Sequence, residues 1–415
     1  MTVGAVDAER RAPNARAADV TRENGASVSA EQPFLPFHRP CIDQEEIDAV
    51  VDTLRSGWLT MGPKTRAFEE AFAVAVEAPY AVAVSSATAG LHLGLDGLGV
   101  GPGDEVLVPT LTFASTAATV IHAGARPVLV DCEPDTLNLS VADAARKWTP
   151  RTKAIVPVHF AGHPCEMDAI LALAREHATP VMEDAAHALP ARYRGRRIGT
   201  LGDLTVFSFY ATKNLTTGEG GMVTTHDEAL GDRLRGRRLH GMTRDAWKRY
   251  SKEGSWRYDI AYPGFKYNMT DMNAALGLVQ LRRLPAMQAE RQRIVALYGA
   301  ALGDVAAVEL PTCKPDVEHA WHLFVIRLRL EQLRVGRDEF IQELTAAGIG
   351  TSVHFIPLHE HSYYRDVLGA RAEDLPCATA EWQRTISLPL FPGLTPDDVE
   401  RVADAVRGIA RRHRR

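Results

Sequence analysis

The chain has 415 residues, 46% hydrophobic and 24% charged, enough to bury a full-sized core as one large and one smaller domain. A formal net charge of −5 gives no electrostatic reason to expect a nucleic acid or an anionic membrane as partner, and leaves an anionic small substrate compatible. No apolar stretch approaches the roughly 18 residues of a membrane span, no signal-peptide core is present, and the five scattered cysteines read as reduced thiols, so the expected location is the cytoplasm.

Residues 1–32 carry no aromatic residue and no apolar rhythm, and are expected to be a disordered tail. From Asp43 the pattern changes: Ile47, Val50, Val51 and Leu54 fall on one helical face, and Gly57 stands where a C-cap belongs. Between about 80 and 225 seven β-rich runs recur, each followed by a loop or a helical pattern: AVAVSS, EVLVPTLTF, RPVLVDC, KAIVPVHF, PVMEDAA, DLTVFSF and GMVTTH. They predict an α/β architecture, a mainly parallel seven-stranded sheet flanked by helices, with catalytic residues at the strand ends and a large domain over 33–285. Residues 286–415 read as a smaller α+β domain: a charged helix, the strand HLFVIRLRL, the amphipathic DEFIQELTAAG, the strand ISLPLF and a last helix from Pro396. The basic RRHRR end complements that helix's dipole.

Three segments carry candidate chemistry. In SSATAGLHLGLDGLG (85–99) a strand ends and a helix opens among hydroxyl residues, a place where free N–H groups and Thr88 can hold a phosphate; alone it reads equally as a Ser/Thr cap. In PVMEDAAHA (180–188) an apolar strand runs into Asp184, a carboxylate that needs a cation; a protonated pyridine nitrogen would serve, with His187 near the ring's phenolic oxygen. Alone, Asp184 is also a helix cap or a metal ligand. In TVFSFYATKNLTTGEGG (205–221) Lys213 follows a buried strand, where desolvation favours the neutral amine that forms a Schiff base, and Ser208 can add a phosphate contact; alone, Lys213 is also a surface lysine.

Two other signals are set aside. GLGVGPGDE (97–105) has its glycines between a helix and a strand, the reverse of a dinucleotide-binding turn, and His354, His359 and His361 lack the HExxH spacing, so no metal is expected.

The order phosphate-binding helix start, strand-end aspartate, lysine after the next strand resembles the fold-type-I pyridoxal-phosphate enzymes. Through GWLTMGP (57–63), SSATAGLHL, EDAAHA, FSFYATKN, GEGG and GFKYNMTDMNAA (264–275) the chain resembles, from about 34 to 410, the DegT/DnrJ/StrS family of sugar-nucleotide aminotransferases. PVHFAG, AWHLFVIR and GIGTSVHF make it most similar to that family's UDP-4-amino-4-deoxy-L-arabinose aminotransferases. The resemblance implies pyridoxal 5′-phosphate bound through Lys213, paired at its ring nitrogen with Asp184, touched by His187, and held at its phosphate by Ala87, Thr88 and Ser208. It further implies that Phe113 stacks on the ring, where core packing is the alternative. Asn268 would reach the phosphate of the neighbouring subunit, making a homodimer with shared active sites. Thr60, Tyr210, His354 and Tyr363 would line the substrate pocket, and the implied partners are L-glutamate and a UDP- or dTDP-linked keto-pentose or keto-deoxyhexose, aminated at C4, with C3 the alternative. Two rivals share the fold: a sugar dehydratase, in which a histidine replaces the lysine, and a non-catalytic relative that binds without turnover.

Overall fold

Each of the seven β-rich runs becomes a strand because it is short, apolar and bounded by turn residues. The computed structural model describes residues 33–242 and 258–415, so the expected tail at 1–32 lies outside the described residues. In chain order the strands are β1 (Tyr80–Val84), β2 (Glu105–Pro109), β3 (Arg126–Val130), β4 (Thr152–Ile155) and β5 (Met182–Asp184). A hairpin of β6 (Arg192–Tyr193) and β7 (Arg196–Arg197) precedes β8 (Leu204–Ser208) and β9 (Gly221–Thr225).

β2 pairs in parallel with β3 and β4, and β5 in parallel with β8, whereas β9 runs antiparallel to both β8 and β1. These are a three-stranded and a four-stranded sheet, and the parallel bridges Ile155–Val181 and Val158–Asp184 join them. The strand order across the join is therefore β3-β2-β4-β5-β8-β9-β1, mainly parallel with one reversed strand. Helices Ala87–Gly97, Ala114–His122, Val141–Lys147 and Met167–Glu176 make the crossovers. Alternate residues feed two cores: Ala81, Ala83, Leu107 and Phe207 join one, while Val82, Val84, Val106, Val108 and Val206 join the other. Burial on both faces is why these strands read as nearly continuous apolar runs.

Helix Asp271–Leu302 ties this sheet to a second core. Its first half contributes Ala274 and Leu284 to the sheet core, and its last turns contribute Ile294, Tyr298 and Leu302 to the other. The expected junction at 285/286 falls inside it, at Pro285. The C-terminal strands are β10 (Val308–Glu309), β11 (Val317–Glu318), β12 (Phe324–Leu328) and β13 (Thr385–Leu388); β12 pairs antiparallel with β10 and β13, while β11 pairs with β6. Helices Arg337–Ala346 and Pro396–Arg412 pack their apolar sides, among them Phe340, Leu344, Val402 and Val406, into this core.

The first helix, Gln44–Ser56, ends as its sequence suggests, with Gly57 left-handed at φ 76°. It faces inward differently. Glu46 and Thr53 are buried, while Ile47 and Leu54 stay 48% and 50% exposed. Polar partners decide this: Glu46 accepts from the Asp43 N–H at 2.9 Å and from Gln280 Nε2 at 2.7 Å, and pairs with Arg283.

Candidate active site

Sheet register brings the expected residues to one edge. Asp184 closes β5 opposite Val206 of β8. Ser208 closes β8 opposite Gly221, and Gly221 faces Val84 at the end of β1, so Ser208 lies two strands from the turn that opens helix Ala87–Gly97. This close approach requires Gly221: a Cβ there would meet Ala87 N at 2.8 Å and Phe207 O at 2.9 Å. The capping role belongs to Ser86, whose Oγ accepts from the Ala89 N–H at 3.1 Å. Ala87 is left half-buried and Thr88 exposed on the first turn, where N–H groups and the helix dipole favour an anion.

Asp184 is 4% exposed. Its Oδ2 accepts from Thr116 Oγ1 at 2.8 Å and its Oδ1 from the Ala186 N–H at 3.1 Å, while Thr112 holds Thr116 at 2.9 Å. Burial raises the carboxyl above its ordinary range, against the two hydrogen bonds and the charges of Lys213 and His159. A carboxylate so placed is completed by a cation.

Lys213 sits on the turn after β8, its N–H donating to Tyr210 O at 2.9 Å. Desolvation pulls its ammonium down to about 8, with the Asp184 charge opposing. Its side chain is half-buried, and the lowered pKa makes the neutral, nucleophilic amine more available near neutral pH than on a free lysine. His187 is 6% exposed, its Nδ1 has no hydrogen-bond partner, and burial with the Lys213 and His354 charges pushes its pKa well below the ordinary value. Its neutral ring stacks on Phe355 at 5.8 Å and lies 4.3 Å from His322.

Phe113 precedes helix Ala114–His122, is 61% exposed, and has its ring centroid 6.1 Å from that of Phe355, so the core-packing alternative falls away. His354 bonds Ser387 Oγ through Nδ1 at 2.8 Å, and burial lowers its pKa to about 4. It lines a small cavity with Phe37, His38, Thr212, His322 and Leu390. His359 uses both ring nitrogens, on Thr110 at 2.8 Å and Thr379 at 2.9 Å, which makes it a packing residue.

Of the other expected residues, Tyr210 is exposed beside Lys213, and Tyr363 is exposed on helix Ser362–Asp366, whose next residue Tyr364 donates to Ala114 O at 3.4 Å. Thr60 has an exposed side chain, and its carbonyl accepts from the Asp271 N–H at 3.2 Å. Asn268 bridges to Val84 of its own chain and holds Lys266 and the Met269 carbonyl. Thr116, His322 and Phe355 were not singled out from sequence. Thr116 and His322 stood in plain sight in PTLTFAST and AWHLFVIR, but only the packing puts one on Asp184 and the other on His187.

The donor set suits pyridoxal phosphate: an amine easily deprotonated, a buried carboxylate completed by a cation, an imidazole nitrogen without a partner, and a hydroxyl-bearing helix start.

Comparison with known proteins identifies the family. The model of the DegT/DnrJ/EryC1/StrS aminotransferase family matches residues 40–407. The spore coat polysaccharide biosynthesis protein SpsC of Bacillus subtilis is 51% identical over 385 residues, covering 92% of this chain and 99% of SpsC. The Streptococcus pneumoniae protein Spr1654, designated a sugar aminotransferase, is 36% identical in its PMP form, with a TM-score of 0.86 over 91% of this chain and 99% of that one; its PLP form superposes with a TM-score of 0.85. The aminotransferase TlmJ from Streptoalloteichus hindustanus is 35% identical, with a TM-score of 0.83 over 90% of this chain and 98% of its own.

Proposed function

Because this chain belongs to the DegT/DnrJ/EryC1/StrS aminotransferase family, we propose that it transfers the amino group of L-glutamate to the keto carbon C4 of a UDP- or dTDP-linked pentose or deoxyhexose. That it is a pyridoxal-phosphate-dependent aminotransferase of fold type I, on a sugar, follows from the family and its solved members. The nucleotide link, the carbon and the donor are our reading. The observation that carries the amino transfer itself is Lys213, an amine brought to about 8 by burial, with the Asp184 charge opposing.

In this reading Lys213 holds the cofactor, and Ala87, Thr88 and Ser208 receive its phosphate. Asp184, favoured in its ionised form by Thr116 and the Ala186 N–H, keeps the pyridine nitrogen protonated. His187 offers its unpartnered Nδ1 to the ring oxygen, and Phe113 covers the ring. The bound cofactor supplies a carbonyl that carries the amino group and a ring that accepts the electron pair left when a C–H bond breaks. The Lys213 amine moves the proton between the substrate carbon and the cofactor's C4′. Tyr210, Tyr363 and the neutral His354 face the sugar, with Thr60 at the edge of the pocket. Asn268 reaches the site of the neighbouring subunit, so the unit of activity is a homodimer. Lys213 disfavours the dehydratase reading, which needs a histidine there.

The test is the absorbance of the protein with pyridoxal phosphate, before and after glutamate, in wild type and Lys213→Ala. The expected result is a visible band that glutamate converts to a near-ultraviolet one with release of 2-oxoglutarate, and loss of this conversion in the variant. Cofactor bound with no 2-oxoglutarate formed would move the non-catalytic reading to the front.

A further inference from the structure

Cys132 and Cys377 stand 245 positions apart in sequence, yet their sulfurs are 3.6 Å apart. Cys132 lies just beyond β3 and is 4% exposed; Cys377 is on the first turn of helix Pro376–Trp382 and half-buried. One carboxylate holds both backbones. Asp131 Oδ1 accepts from the N–H groups of Cys132 at 2.9 Å and Ala378 at 2.8 Å, and Oδ2 accepts from that of Cys377 at 2.9 Å. Asp131 is itself fixed, its N–H donating to Asp143 Oδ2 at 2.7 Å. The approach of the sulfurs is thus set by a clamped backbone and not by chance rotamers. These three side chains are also close enough to surround an ion, but both Asp131 oxygens are already engaged, and two sulfurs fall short of the four ligands a structural zinc takes.

We propose that Cys132 and Cys377 form a redox-active dithiol that a hydroperoxide, hydrogen peroxide being the simplest, closes to a disulfide. The more accessible Cys377 thiol gives its proton to solvent and its thiolate attacks one peroxide oxygen; the O–O bond breaks, the hydroxide released takes up a proton and leaves as water, and a sulfenic acid remains. The Cys132 sulfur then displaces the second water as the S–S bond forms. Two electrons pass from the two thiols to the peroxide, and the products are one disulfide and two waters. The hydrogen bond to Cys377 and burial push the Cys132 thiol well above its ordinary pKa, which suits it to act second. The sulfurs must close from 3.6 Å to about 2.05 Å, a shift that side-chain rotation and small backbone adjustment supply.

The staple would tie helix Pro376–Trp382 to the end of β3. Cys132 and Ala378 pack with Leu111 and Phe160 in a cluster against which Phe355 lies, and Phe355 stacks on His187. Oxidation therefore braces one wall of the active site.

The experiment uses the full chain as Cys313→Ala, which removes the exposed thiol, treated with one equivalent of hydrogen peroxide and mapped by mass spectrometry without reduction. The expected result is a cross-linked peptide pair holding Cys132 and Cys377, loss of two free thiols, reversal by dithiothreitol, and a Tm higher by about 5 °C or more. Adding Cys377→Ala should abolish the cross-link and the Tm gain while leaving Cys132 as a free thiol. Sulfinic acid on Cys377 with Cys132 still free, or protection of both thiols by added Zn2+ at micromolar concentration, would overturn the proposal.

Discussion

Lys213 and Asp184 set each other's charge. Burial favours the neutral amine and the neutral carboxyl, and each charge, where present, stabilises the other. Since only the neutral amine adds to a carbonyl, capture of pyridoxal phosphate by apoprotein is expected to accelerate as pH rises through about 8 and to level off above it, measured by stopped-flow absorbance. Asp184→Asn removes the charge that holds the ammonium form, so this midpoint should move to lower pH; an upward shift would contradict the electrostatic account. Thr116 acts one step back. Its hydrogen bond to Asp184 lowers that carboxyl's pKa, so Thr116→Val raises it and should move the acid limb of the kcat profile to higher pH, with kcat down about tenfold for a bond of roughly 1–1.5 kcal/mol. A Thr116→Ser variant, which keeps the hydroxyl, should restore most of the activity.

At the scale of elements, polar anchors orient helices that apolar rhythm alone would turn otherwise. Helix Gln44–Ser56 presents its Ile47 and Leu54 side outward because Glu46, fixed by Asp43, Gln280 and Arg283, binds the adjacent Glu46 and Thr53 side to helix Asp271–Leu302. Asp271 does similar work for helix Pro63–Ala75. Its carboxylate accepts from the N–H groups of Gly62, Lys64 and Thr65 and from the Thr65 hydroxyl, at 2.6–3.0 Å. Asp271→Ala leaves these donors without an acceptor in a buried place and is expected to cost about 3 kcal/mol, seen as a lower Tm; a change within error would show that water replaces the carboxylate. The segment GWLTMGP, part of the family resemblance, is thus read physically as the piece this aspartate pins down.

For the whole molecule, the proposed shared-site homodimer makes a sharp expectation. Mixing inactive Lys213→Ala with Asn268→Ala chains, after brief unfolding and refolding together, should regain activity, because each mixed dimer holds one site with both residues intact. Random pairing with two-fold symmetry sets the recovery at about a quarter of wild type. No recovery would place Asn268 in its own subunit's site, where it already lies beside Val84.

The sequence by itself determined the seven strands, the strand-end placement of Asp184 and Ser208 and the turn bearing Lys213, because short apolar runs rich in β-branched residues and bounded by turn residues favour strands. It also determined the family, through the motifs that stand at those strand ends. It did not show the inward side of helix Gln44–Ser56, the Thr116 support of Asp184, the His187–His322–Phe355 wall or the approach of Cys132 to Cys377. Those were decided by tertiary structure alone, because each joins residues whose meeting depends on sheet register and helix docking, and local pattern carries no information about which distant groups will share one desolvated space.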